Sequence, residues 1–212
     1  MSGPMVKALL AGTKTMTRRI VKPIPMLGEP LAWCAAAKAQ EPGWVHIVGD
    51  YRRFCPYGQP GDRLWVRETW KPTKSQVGDD VCTDTYVRYR ADDSRVIVKH
   101  LLGGGISDLW RPSISMPRWA SRLNLDNAAV RVERLQDISE ADAVAEGIEL
   151  VSGDYNRDDF TGCWRDYTGK QYYWNSPIDS FHSAWDSING KRASWESNPW
   201  VWVIEFNRVI ND

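Results

Sequence analysis

Apolar residues in this chain fall into short runs of two kinds, alternating and helical, separated by Gly, Pro and Ser. The first run is helical: Met5, Val6, Leu9 and Leu10 share one face, Ser2 caps, Pro4 sits in the first turn, and Gly12 stands where helices stop. From Thr13 to Val21 the period changes to that of a strand. It places Lys14, Met16 and Arg18 on one face and Thr15, Thr17 and Arg19 on the other. A bulge would change that partition.

Residues 23–60 are rich in Pro, Gly and Ala and close on "CPYGQPGD", a turn into the alternating run "RLWVRETW". There Leu64, Val66, Glu68 and Trp70 oppose Arg63, Trp65, Arg67 and Thr69. "YVRYRA" at 86–91 predicts a short strand, "LLGGG" at 101–105 a loop, and "AAVRVERLQDI" at 128–138 a longer strand. Two further helices follow. "SEADAVAEGI" has Ser139 as cap, Asp142 as its capping-box partner and Gly147 as the stop. "SPIDSFHSAWDSING" starts at Ser176 and Pro177, with Ile178, Phe181, Trp185 and Ile188 as its apolar stripe. In "NPWVWVIEFNRVI", Trp200, Trp202, Ile204 and Phe206 alternate with Val201, Val203 and Glu205, so the strand is apolar on nearly both faces and belongs at the centre of a sheet. Several strands with few helices define an α+β chain built around a small, partly closed β-barrel.

Length and charge narrow the reading. A chain of 212 residues fits one domain with insertions, and 27 basic against 27 acidic residues leave no global field toward nucleic acid or an anionic membrane. Beneath that balance the chain is polarised. The first 22 residues carry Lys7, Lys14, Arg18, Arg19 and Lys22 and no acid, whereas residues 135–160 carry eight acids against Arg157. No apolar run is long enough to span a membrane and no secretory h-region is present, so a cytoplasmic location is expected. Cys34, Cys55, Cys82 and Cys163 form no C-x-x-C pair, and His46, His100 and His182 stand alone. The expectation is reduced structural thiols, no metal, no cofactor, and activity that survives chelation. The twelve Trp read mainly as core, with a few left to line a pocket for a flat ligand.

The segment "LLAGTKTMTRR", the Gly61-Asp62 turn into a strand, the strand leading into "ISEADAVAEGI", and the closing "VIEFNRV" together resemble the ASCH domain of the PUA-like barrel superfamily. The signature is a helix followed by G-x-K-T-x-T-x-R, here Gly12, Lys14, Thr15, Thr17 and Arg19. "CPYGQPGDRLWVRETW" and "SISMPRWASR" further resemble larger members carried by phages and prophages. The resemblance implies a PUA-like barrel with peripheral helices. It makes residues 1–212 a single domain with Trp-rich insertions at about 23–57, 71–110 and 149–176, carrying Trp33, Trp44, Trp110, Trp164 and Trp174.

The resemblance also implies chemistry on RNA or nucleotides. One bacterial branch hydrolyses the amide of N4-acetylcytidine with a lysine, a threonine three residues later and a glutamate in the helix after the long strand, positions that match Lys14, Thr17 and Glu146. In amide hydrolysis Thr17 would attack, Lys14 would take its proton, Arg19 or a backbone amide would hold the oxyanion, and Glu146 would protonate the departing amine. An ideal strand points Lys14 and Thr17 to opposite faces, so this triad requires a bend between them. Arg19, Trp65, Arg67, Glu68, Arg118 and Trp119 are the expected substrate-binding residues, an Arg beside a Trp suiting a flat base plus a phosphate. The expected partner is a modified cytosine nucleoside or nucleotide. The alternatives are a module that binds RNA or single-stranded nucleic acid without catalysis, and a ribonuclease.

Overall fold

A computed structural model of the chain describes residues 2–22, 44–47, 51–74, 85–98, 109–151, 162–170 and 173–209. The chain is a mixed α+β protein of antiparallel sheets and few helices. It begins with α1 (Gly3–Ala11), β1 (Met16–Ile20), β2 (Trp44–Ile47), β3 (Tyr51–Phe54), β4 (Arg63–Trp65) and β5 (Trp70–Lys74). Then follow β6 (Thr85–Tyr89), β7 (Arg95–Val98), β8 (Asn124–Arg134), α2 (Glu140–Ala145), β9 (Leu150–Val151), β10 (Cys163–Arg165), β11 (Tyr173–Trp174), α3 (Pro177–Asn189) and β12 (Trp200–Val209).

The main sheet has the order β1-β12-β8-β4, all antiparallel. As its unbroken apolar pattern requires, β12 is central, and its two faces feed two cores. Trp202, Ile204 and Phe206 pack with Val6 and Leu9 of α1 and with Leu125 and Val132 of β8. On the other face, Val201 and Val203 pack with Met16, Ile138, Ala143 of α2 and Phe181 and Trp185 of α3. A bulge in β8 at Ala128 shifts the register between Glu205, opposite Ala129, and Phe206, opposite Asn127.

Each of the three long insertions contains a small sheet of its own. Residues 23–57 contain β2-β3, 71–110 contain β6, β7 and all of β5 but Trp70, and 149–176 contain β9-β10-β11, whereas the main sheet is drawn from the segments between them. The 63–70 run departs from a single strand. Its ladder with β8 ends at Trp65 opposite Asn124, and Trp70 pairs with Tyr89 in the β5-β6-β7 sheet, so the chain crosses between sheets at 66–69. The alternation survives the crossing: Val66, Glu68 and Trp70 are buried and Arg67 is exposed. In α3, Phe181 and Trp185 are buried, but Ile188 in the last turn is 62% exposed and leaves the predicted stripe. The 101–105 loop, Trp33, Cys34, Cys82 and His100 lie outside the described residues.

Candidate active site

Local sequence places the two chemical segments side by side. Gly12 ends α1 in the left-handed conformation (φ 78°) and its amide donates to Ala8 and Leu9 carbonyls, turning the chain into the strand. Across the fold, Ser139 caps α2 by accepting a hydrogen bond from the Asp142 amide (3.1 Å), and the helix ends at Glu146. The two segments then pair as backbone: Lys14 bridges Glu146, and the Thr15 amide donates to the Ala145 carbonyl (2.9 Å). Gly147 has φ 80°, and a Cβ there would come within 2.6 Å of Lys14 Cβ and 2.8 Å of Ala8 Cβ. Only glycine allows this approach.

Lys14 and Glu146 are 4% and 5% exposed and 132 residues apart. The Lys14 ammonium donates to Glu146 Oε2 (2.8 Å), the Glu146 carbonyl (2.6 Å) and the Met16 carbonyl (2.8 Å), which engages all three of its protons. Burial pulls the Lys14 pKa below the ordinary lysine range. Glu146 opposes that pull, and Arg19 and Arg18 add to it.

Arg18 extends the cluster. Its guanidinium reaches Glu146 Oε1 (3.4 Å), Glu133 Oε1 and Asp142 Oδ2 (2.8 Å), and Arg131 binds Glu133 (3.0 Å), Asp142 (3.0 Å) and Glu205. Three cations and four carboxylates thus form one network on the α2 side of the sheet, closed at Lys14 and Arg18 and open at Arg131 and Glu205. Arg18, Arg131, Glu133, Asp142 and Glu205 were not expected at the site. The alternation of "VRVER" puts Arg131 and Glu133 on one face, but nothing local says that face meets Arg18.

Thr17 lies elsewhere. The β1-β12 register runs unbroken from Met16 opposite Glu205 to Ile20 opposite Val201. Thr17 therefore shares a face with Ile204 and the α1 core, while Lys14, Met16 and Arg18 share the α2 face. The bend that a Lys14-Thr17 pair would need is absent from β1. Arg19 is exposed on the Thr17 face, opposite Trp202.

The other expected binding residues separate into two groups. Trp65, on the edge strand β4, lies between two exposed arginines, with the Arg67 guanidinium 4.7 Å and the Arg118 guanidinium 5.9 Å from its ring. Arg118 also donates to Asn124 Oδ1 (2.6 Å), and Arg67 to the Ile114 carbonyl (3.3 Å). Glu68 and Trp119 make other contacts. Glu68, 1% exposed, is held by Arg122 through two hydrogen bonds (2.9 and 2.8 Å), and Arg122 stacks on Tyr89 (4.0 Å). Trp119 packs edge-on against Trp70 (5.7 Å).

Among the described residues no three His, Cys, Asp or Glu side chains converge as metal ligands, and Cys55 and Cys163 are buried free thiols. No described helix is long and apolar enough to cross a membrane. No family model, curated protein or solved structure matches the chain.

Proposed function

We propose that this chain is an ASCH-type protein of the PUA-like class that hydrolyses the N4 amide of an acylated cytosine nucleoside or nucleotide. The observation that carries the reading is the Lys14-Glu146 contact. Two positions 132 residues apart, singled out by their resemblance to an amidohydrolase, are in contact in a buried site, with Arg18 beside them.

With Thr17 on the opposite face, the attacking group is water. Its oxygen bonds to the acyl carbon as its proton passes to the Glu146 carboxylate. The oxyanion that forms is stabilised by the Lys14 ammonium and the Arg18 guanidinium. Glu146 then hands the proton to N4 as the C–N bond breaks, releasing a carboxylic acid and the free cytosine amine. No metal or cofactor is needed for these steps.

A second reading, a nucleic-acid-binding module without catalysis, is favoured by one observation: each Lys14 proton already has an acceptor, so the network is complete without a substrate. The exposed Arg67-Trp65-Arg118 stack would then be the binding surface, contacting a base and few phosphates.

An ultraviolet-absorbance assay with N4-acetylcytidine and its deoxy analogue, run beside tRNA and single-stranded DNA titrations, separates the two. The hydrolase reading expects turnover by the wild type, a fall of about 10²- to 10⁴-fold in kcat for a folded Glu146→Gln variant, and little change for Thr17→Ala. Oligonucleotide binding without turnover of either substrate would replace it with the binding-module reading. Loss of activity in Thr17→Ala with Glu146→Gln unaffected would return the nucleophile to Thr17.

A further inference from the structure

Beside the Lys14-Glu146 network, a cavity of about 860 Å³ opens where three parts of the fold meet. One wall is the face of α1 that carries Gly3, Pro4, Lys7, Ala8 and Ala11, positions spaced as successive turns of a helix. A second is Arg90 and Ala91, at the turn after β6. The third runs from Val144 of α2 through Leu150 of β9 to Trp164 and Arg165 of β10. Neither Lys14 nor Glu146 lines it; Gly147 does, with Lys14 Cβ packed behind. The volume is that of a small-molecule site, and junctions between structural units are where such sites occur.

Its charges are unevenly matched. Both carboxylates in the lining are already held, Glu68 by Arg122 and Glu149 by Arg165. Among the described residues, Lys7 and Arg90 make no ion pair, and both are exposed toward this space. Between these cations the walls are apolar: Ala8, Ala11, Val144, Leu150 and the half-buried Trp164. We propose that this cavity is a second binding site, for a small organic anion with a flat apolar body. Lys7 and Arg90 hold the anionic group, and the body lies against Val144, Leu150 and Trp164. Carboxylates and phosphate monoesters share this chemistry.

Fluorescence titration with two probes of related ring structure tests it: 8-anilinonaphthalene-1-sulfonate, an anion, and N-phenyl-1-naphthylamine, which is neutral. The expected result is one site per chain for the anion, with affinity lowered at least about tenfold by Lys7→Gln combined with Arg90→Gln, while the neutral probe changes less than about twofold. Val144→Trp, at a 39% exposed position in the wall, should exclude both probes while leaving cooperative unfolding intact. Displacement by benzoate and by phenyl phosphate then tells which anion the cations prefer. Equal affinity of the charged probe for the wild type and the double variant, or binding undiminished by Val144→Trp, would overturn the proposal. The Glu146→Gln variant, whose side chain does not line the cavity, should bind both probes normally, so failure of the hydrolase reading leaves this test standing.

Discussion

At the residue scale, two separate ion-pair clusters among the described residues hold the buried Lys14, Arg18 and Glu146 and the buried Glu68. The Arg122 cluster joins the buried Glu68 to Asp92, Ser94 and the Tyr89 ring, tying β4's exit to the turn after β6. Burial would raise the Asp92 pKa, but hydrogen bonds from Arg122 and Ser94 outweigh it and bring the group down to about 2. The sign follows from linkage: the folded state releases this proton more readily than the unfolded chain, so the contribution is present above the unfolded value and lost as pH falls through about 2. Urea midpoints measured from pH 5 to pH 2 should therefore fall less steeply for Asp92→Asn than for the wild type. Parallel profiles would mean that Arg122 draws its stability from Glu68 alone. Tyr89, pushed up by burial beside the same arginine, stays protonated throughout that range.

The elements show which signals in the sequence were sufficient. Pro4 and Gly12 bounded α1, although the Ser2 side chain makes no cap hydrogen bond there, and Ser139 and Ser176 capped the starts of α2 and α3, because capping is local chemistry that a few adjacent residues settle. The centrality of β12 was equally legible, since a strand apolar on both faces has nowhere else to go. The break at 66–69 was not, because it depends on where β8 begins, some 60 residues on. The site was legible in part. Lys14 and Glu146 were named by the resemblance, and strand parity put Arg18 on the Lys14 face without marking it as a site residue, but Arg131, Glu133 and Glu205 are joined by Coulomb partners far apart in sequence, which no periodicity reports. The capping box at Ser139 is also used differently than expected: the Asp142 amide bonds Ser139, while its carboxylate binds Arg18 and Arg131. Ser139→Ala should cost about 1 kcal/mol in urea unfolding. A loss below about 0.3 kcal/mol would show that the two arginines hold the start of α2 without the cap.

On the scale of the whole molecule, the long β8 and β12 carry the main sheet, and three short sheets are attached to it through the insertions. β9, β10 and β11 are two or three residues long and leave Leu150, Val151 and Tyr173 exposed, whereas β12 is buried at Val201, Trp202, Val203, Ile204 and Phe206. Opening should follow that order. In native-state hydrogen exchange, ladder amides of β9-β10-β11 are expected to exchange through low-energy local opening and those of β12 only through global unfolding. Equal protection in both would make the insertions part of one cooperative core. The sheet has a further consequence, felt while the chain is being made. Among the described residues, the strand that β1 pairs with is β12, about 180 residues downstream, and the carboxylates that neutralise Lys14 and Arg18 lie more than 110 residues away. At ribosomal rates of about 5 to 20 residues per second, the basic amino-terminal segment waits on the order of ten to forty seconds for its strand partner. Through that interval it is a free polycation beside ribosomal RNA, and a mistimed contact there would compete directly with closure of the sheet.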